Sequence, residues 1–175
     1  MNIASVAART VAVLATSLAA LPAPAQTPGE SVVLIHAGQL LDRPGQKPRG
    51  ASTVIVRNGR VEALRDGFAA ADGYPGATVI DLRERYVLPG LIDCHVHLDS
   101  DRAGQEGLLE SLTQNDAYFA YQALANARKT LEAGFTTVRN LGDDRGSTMA
   151  LRDAIAAGTV AGPQILDAGT GLSAT

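Results

Sequence analysis

The pattern of hydrophobic and polar residues changes halfway along the chain. Before that point it consists of short β-rich runs at 32–36, 51–64 and 78–82. Asn58-Gly59 divides the middle run and favours a tight β-hairpin turn, because both residues tolerate positive φ. These runs predict short antiparallel strands that form part of a small β-sandwich. His36 ends the first run, and we expect it to be half-exposed and not a ligand.

From residue 88 onward the chain changes to a repeating order of strand and helix. The apolar run at 88–98 predicts a strand, and apolar residues then recur at helical spacing over 115–133. A second strand follows at 135–139, and Ser147 can cap a short helix before a third strand at 164–168. We therefore expect an α/β fold with three parallel strands joined by right-handed crossover helices.

The first of these strands carries the best candidates for chemistry. Side chains of an extended chain alternate between two faces, so His95 and His97 share one face with Asp93, and Cys94 packs on the other as a small hydrophobe. A lone His-x-His also occurs by chance, and a buried imidazole is often a hydrogen-bonded core residue. Two imidazoles on one face without a neighbouring hydroxyl are costly to bury unless they bind something. The pattern favours a metal-binding strand.

Polar side chains follow the predicted parallel strands. The carboxyl ends of such strands lie at one edge, where barrel enzymes place their chemistry. Asn140 and Asp143, together with Asp93, are therefore candidates for the rim of a pocket or for the residues that support it. Asp101 and Asp144 are better explained as solvated loop residues.

Composition excludes several classes of protein. The chain has 175 residues, a formal net charge of −3 and 46% hydrophobic residues, which is typical of a globular domain and not of a nucleic-acid-binding protein. Its single Cys cannot form an internal disulfide.

The N-terminal segment has the features of a signal peptide. Arg9 precedes an apolar run of small residues, and Ala23-Pro24-Ala25 has the form of a signal-peptidase site. We expect residues 1–25 to be removed on export and residues 26–31 to be a linker. The mature protein would be periplasmic or secreted, without a membrane anchor. The alternative is an uncleaved anchor helix, although the apolar run is short for a bilayer-spanning helix.

Together these segments resemble the metal-dependent amidohydrolase superfamily, and within it the imidazolonepropionase-like branch that includes Xaa-Pro dipeptidases. The resemblance rests on the 54–64 hairpin, the 79–82 strand, the Pro-Gly-Leu-Ile-Asp-x-His-x-His element within 86–98, and the segments at 134–142 and 162–166. The His-x-His element is specific to the superfamily, whereas the last two segments indicate the branch. Arg139-Asn140 departs from the Arg-Asp that is common in the branch.

The resemblance implies an incomplete TIM (β/α)8 barrel, with residues 88–175 as its first three β/α units and residues 32–87 as part of a flanking β-sandwich. It assigns His95 and His97 to a site for one or two divalent metals, usually zinc. A metal-activated hydroxide would attack an amide carbonyl, and an Asp on the last barrel strand would protonate the leaving nitrogen. That Asp, a carboxylated Lys and further His ligands would lie beyond residue 175, so no catalytic residue is expected within this chain.

The favoured function is that of the N-terminal portion of an exported metal-dependent hydrolase of amide or peptide C–N bonds, with a small-molecule amide or dipeptide as substrate. This portion by itself would be inactive, and its open sheet edge and bare helix faces would favour aggregation. Ring opening of cyclic amides such as imidazolones or hydantoins is one alternative, and a non-catalytic binding module is another. The full-length protein could form a homo-oligomer, but the sequence does not determine its oligomeric state.

Overall fold

The computed structural model describes residues 31–171, and these residues form two β-sheets and three α-helices. The predicted signal peptide at 1–25 and nearly all of the predicted linker at 26–31 lie outside the described residues. None of the described helices is long and apolar enough to cross a membrane. The fold belongs to the α/β class, which confirms the predicted class.

The first sheet is mixed and has the strand order β3-β2-β1-β4. Its strands are β1 (Val32–Leu40), β2 (Ser52–Arg57), β3 (Arg60–Asp66) and β4 (Thr78–Val87). The β2–β3 hairpin is confirmed, with positive φ at both Asn58 and Gly59. β4 lies parallel to β1, so the expectation of antiparallel strands throughout is wrong. The chain crosses the sheet between β3 and β4, and a crossover of this kind makes the pairing parallel.

Apolar side chains cover both faces of the first sheet. On one face, Leu34 and Ile55 are almost completely buried, and the partly buried Tyr74 and Ala77 of the segment between β3 and β4 pack against them. On the other face a second cluster forms around Ala37, Leu40 and Val54. A sheet that is apolar on both faces is typical of a layer with cover on each side. The described residues supply one layer of the predicted sandwich, and its second layer stays a prediction.

His36 lies in the middle of a strand and not at its end. β1 continues to Leu40, and His36 is only 8% exposed. Its Nε2 lies 3.0 Å from the carbonyl oxygen of Ala69, and its ring packs against Phe68. The prediction of a half-exposed side chain is wrong, because the segment after β3 folds over the imidazole.

The second sheet is parallel and has the strand order β5-β6-β7. Its strands are β5 (Leu91–Val96), β6 (Phe135–Asn140) and β7 (Gln164–Asp167), and its helices are α1 (Gly104–Thr113), α2 (Asp116–Glu132) and α3 (Ser147–Ala156). The alternation of β5, α2, β6, α3 and β7 confirms the predicted order. α1 is an addition that the sequence pattern does not predict, since it contains two glycines and no side chain caps its N-terminus.

The helices bury one face of the parallel sheet. Leu98, Ala123, Ala127, Val138 and Ile165 belong to a single core cluster. α1 differs from the other helices because its buried residue is charged. This residue is Glu110, which accepts a hydrogen bond from the Tyr118 hydroxyl at 2.7 Å. Leu108, Leu109 and Leu112 of the same helix are 61–75% exposed. The expectation of bare apolar helix faces is confirmed for α1.

Candidate functional site

Two imidazoles lie side by side at the end of β5. The ring centroids of His95 and His97 are 5.4 Å apart, and the rings are inclined at 63°. Both residues are exposed, and neither ring has a hydrogen-bond partner within residues 31–171. Neutral imidazole nitrogens that are free in this way can coordinate a divalent metal.

β5 is less regular than the predicted alternation. Its ladder with β6 pairs Asp93 with Val138 and Val96 with Asn140, so three steps along β5 match two steps along β6. The extra residue is a bulge, and bulges change the direction of side chains. Asp93 stabilises it, because its Oδ1 accepts a hydrogen bond from the His95 N–H at 3.0 Å. The regular alternation predicted for this strand is therefore interrupted between Asp93 and Val96, while the His95 and His97 rings still lie together.

Cys94 is exposed and does not lie in the packing layer between sheet and helices. β5 is an edge strand of the described sheet, and α2 and α3 pack mainly on β6 and β7. β5 contacts the core at its end, where Val96 is partly buried against the cluster, and Leu98 just after the strand is 2% exposed. The prediction for Cys94 is wrong because it assumed that a helix covers the whole outer face of the strand.

Asn140 is completely buried at the carboxyl end of β6. Its Oδ1 accepts a hydrogen bond from the Leu98 N–H at 3.0 Å. Its Nδ2 donates to the Thr148 hydroxyl oxygen at 3.0 Å and to the Asp167 carboxylate at 3.3 Å. Asn140 does not line the cleft described below, and its role as a supporting residue stays a prediction.

Asp143 is also buried, and it joins the loop after β6 to the start of α3. Its Oδ2 accepts hydrogen bonds from the Thr148 N–H at 2.6 Å and the Thr148 hydroxyl at 2.9 Å, and its Oδ1 accepts one from the Arg145 N–H at 2.8 Å. A carboxylate at a helix N-terminus satisfies free N–H groups and interacts favourably with the helix dipole. The prediction that Ser147 caps this helix is wrong: Gly146 precedes it with φ 73°, and Asp143 provides the cap.

The loops that follow the three parallel strands, together with residues of α1, line an open cleft of about 850 Å³. Its lining includes His97, Asp99, Asp143, Arg145 and Gly171, so each of the three loops contributes. The loops after β6 and β7 also meet directly, because the Asp143 N–H donates to the carbonyl oxygen of Gly169 at 3.0 Å. Polar residues that follow different strands are thus brought together at one edge, as parallel pairing predicts.

Two residues of this cleft are not among the predicted candidates. Burial and the nearby Asp143 raise the pKa of the Asp99 carboxyl, and His97 and Arg145 act in the opposite direction. The position of Asp99, two residues after His97, is a local signal that could have indicated it. No local pattern in the sequence indicates that Arg145 lies at the cleft. Its side chain pairs at 2.7 Å with Asp116, which is 29 residues away in the sequence.

The ligand set for a metal is incomplete within the described residues. His95 and His97 offer two nitrogen ligands, whereas protein zinc sites use three or four side chains. No group of three or more His, Cys, Asp or Glu side chains within residues 31–171 is placed to hold one ion. The exposed imidazole pair fits two positions of a metal site, and the other positions need ligands from elsewhere.

The fold and this edge define an α/β protein with a pair of candidate metal ligands beside a cleft. The chain belongs to the amidohydrolase family, whose family model matches residues 86–174. This finding confirms the family that the sequence resembles.

Similarities to individual proteins are consistent with membership of this family. A crystal structure of a Xaa-Pro dipeptidase with bound methionine in the active site matches with a TM-score of 0.72 and 33% identity, over 79% of this chain and 33% of that chain. Imidazolonepropionase of Klebsiella pneumoniae (strain 342) is 58% identical over 45 residues, which are 26% of this chain and 10% of the relative. Ochratoxinase of Aspergillus niger is 28% identical over 152 residues, 86% of this chain and 31% of the relative. The chain thus spans at most about a third of the length of these proteins.

Proposed function

We propose that this chain supplies the first metal-binding strand of a hydrolase that cleaves amide or peptide C–N bonds. The observation that carries the proposal is the imidazole pair of His95 and His97, with ring centroids 5.4 Å apart and His97 on the wall of the cleft. Membership of the amidohydrolase family supports it. A bound divalent metal, most simply zinc, would polarise a substrate carbonyl and activate a water molecule.

The proposed architecture is a (β/α)8 barrel in which β5, β6 and β7 are the first three strands. Residues 32–87 would belong to a flanking β-sandwich, and residues 88–175 to the barrel. A barrel needs eight such units, and a zinc site needs more ligands than two imidazoles. Catalysis would therefore depend on further strands, which would bring the remaining ligands and the group that protonates the leaving nitrogen.

The proposed substrates are dipeptides, and the proposed location is outside the cytoplasm. The structural similarity to a Xaa-Pro dipeptidase supports the substrate class. The apolar run after Arg9 and the Ala23-Pro24-Ala25 sequence support export.

The direct test is a metal analysis of the full-length protein and its His variants. His95→Ala and His97→Ala should each lose bound metal and the hydrolysis of Xaa-Pro dipeptides, because each removes a ligand. The chain contains three His residues, so His36→Gln in the first sheet is a matched control that should retain both. Stoichiometric metal in the His95→Ala and His97→Ala proteins would refute the assignment of this strand.

Hydrolysis of a cyclic amide is the second candidate function. It is favoured by the 58% identity to an imidazolonepropionase over 45 residues. Assay of one metal-loaded preparation with Xaa-Pro dipeptides and with imidazolone and hydantoin rings separates the two candidates. A higher kcat/KM for the rings would replace the dipeptidase proposal and leave the metal site in place.

A further inference from the structure

We propose that Asn140 is a positioning residue for the imidazole pair: its side chain holds the end of β5 so that His97 lies beside His95. The inference rests on the proposed function, because it concerns the same metal site. Asn140 is 0% exposed and touches neither imidazole, so it acts through the backbone.

The position of His97 needs such support because it lies just beyond the regular ladder. β5 ends at Val96, and the last pair of the ladder is Val96 with Asn140. The strand is also at the edge of the described sheet and carries a bulge between Asp93 and Val96. Backbone pairing alone therefore leaves the residue after Val96 without a ladder partner.

Two hydrogen bonds from the end of β6 hold the backbone on either side of His97. The Leu141 N–H donates to the carbonyl oxygen of Val96 at 3.0 Å. Asn140 Oδ1 accepts from the Leu98 N–H at 3.0 Å. The side chain of Asn140 thus extends the pairing past the point where the strand ends, and the backbone of His97 is held on both sides.

The chemistry of the surroundings requires an amide at position 140. The Leu98 N–H can only donate, so the amide oxygen must face it, and Nδ2 then faces Thr148 and Asp167. The Thr148 hydroxyl donates to Asp143 and so accepts from Nδ2. An Asp at this position has the same shape, but it cannot donate and would place a second carboxylate against Asp167.

The test is Asn140→Asp in the full-length protein, read through the metal and not through activity alone. The variant should bind Zn²⁺ about tenfold more weakly, the low end of the range for residues that orient metal ligands. With Co²⁺ in place of zinc, its visible absorption spectrum should differ from that of the unchanged protein, because the geometry of the ligands changes. The double variant Asn140→Asp/Asp167→Asn exchanges donor and acceptor, and it should regain part of the affinity.

A matched control separates positioning from general stability. Thr53 is also 0% exposed and makes two hydrogen bonds, but it lies in the first sheet. Thr53→Val should lower the unfolding temperature and leave the Zn²⁺ affinity and the Co²⁺ spectrum unchanged. If Thr53→Val weakens metal binding as much as Asn140→Asp does, the effect is one of stability and the inference is wrong.

The outcomes also distinguish this inference from the proposed function. Loss of metal in His95→Ala together with unchanged affinity and spectrum in Asn140→Asp refutes the positioning role and leaves the metal site standing. Retention of metal in His95→Ala refutes the metal site itself. If Asn140→Asp does not fold, recovery of a folded, metal-binding double variant supports the exchange, and a folded double variant without metal refutes it.

Discussion

The two sheets use their buried polar groups in different ways. In the first sheet, Thr53 donates to the carbonyl oxygen of Gly67 at 2.8 Å and accepts from the Ala69 N–H at 2.9 Å, so it holds the chain that leaves β3. In the parallel sheet, Asn140 and Asp143 bond to different elements at one edge, beside the imidazole pair. The buried polar groups therefore fix a connection in one sheet and a candidate site in the other.

This difference predicts two kinds of response to mutation. Changes in the first sheet should reduce the free energy of unfolding and leave the metal content of the folded protein unchanged. Changes at the carboxyl edge of the parallel sheet should affect both quantities, because the hydrogen bonds that stabilise the fold there are the same ones that we propose to position the imidazole pair. The following variants test whether the two sheets respond in these two ways.

The largest effect is expected from Leu34→Ala in the first sheet. Leu34 is 0% exposed, and its truncation leaves a cavity, so the free energy of unfolding should fall by about 3 kcal/mol. Urea denaturation of the full-length protein measures this loss. Val33→Ala, at a partly buried neighbour on the opposite face, should cost less. Loss of metal from folded Leu34→Ala protein would show that a change in the first sheet also affects metal binding, which contradicts the expected difference between the two sheets.

Asp143→Ala should have the next largest effect. It removes the acceptor of three hydrogen bonds and leaves the Thr148 N–H unsatisfied at a buried helix start, a loss of about 2 kcal/mol in the free energy of unfolding. Zn²⁺ binding should weaken as well, because the loop beside His97 is released. Asp144→Ala removes an exposed acid of the same loop and should change neither quantity. Unchanged metal binding in Asp143→Ala would show that this change at the edge of the parallel sheet, like changes in the first sheet, affects stability alone.

Local signals explain why much of this fold can be predicted from the sequence. The hairpin at Asn58-Gly59 depends on two adjacent residues, and α2 depends on apolar periodicity and on Asn115, which caps it. The parallel order follows from the alternation of strands and helices. The His95 and His97 pair is equally local, since the candidate ligands are two residues apart.

The remaining features depend on contacts that are distant in the sequence. Asn140 bonds to Leu98 across 42 residues, and no local pattern indicates that its amide must both donate and accept. His36 is covered by a segment 33 residues away. Cys94 is exposed because α2 and α3 pack mainly on β6 and β7, and alternation along β5 does not indicate that this strand lies at the edge of the described sheet. A buried side chain whose partners are distant in the sequence is therefore harder to predict than the pair of His95 and His97, which are two residues apart.

Thr53→Val should have a smaller effect than either change above. Valine has nearly the shape of threonine, so packing is kept, and the loss of the two hydrogen bonds should cost about 1 kcal/mol. The unfolding temperature of the full-length protein measures it. Thr78→Val, at an exposed position of β4, is the matched control and should have no comparable effect. A loss in Thr53→Val no larger than in this control would show that the segment after β3 is held by packing alone.

The smallest effect concerns the acid sensitivity of the first sheet. Hydrogen bonds from the side chain and the backbone N–H of Arg83 lower the pKa of Asp81 to about 2. The folded state therefore holds the proton more weakly than the unfolded chain, whose Asp pKa is about 3.9. The contribution to stability is fully present above that value and is lost as the pH falls towards 2.

Asp81→Asn should therefore flatten the dependence of the unfolding temperature on pH between about 4 and 2, where this carboxyl titrates. Arg83→Gln removes the other partner of the pair and should also flatten this dependence of the unfolding temperature on pH. In the unchanged protein, added salt should weaken the same dependence, because the pair is exposed. Metal binding at neutral pH should be the same in both variants, since neither residue contacts the parallel-sheet edge. An unchanged acid profile in Asp81→Asn would mean that the pair does not stabilise the first sheet. Weaker metal binding in either variant would mean that the two sheets are coupled, which the separate hydrogen-bond networks argue against.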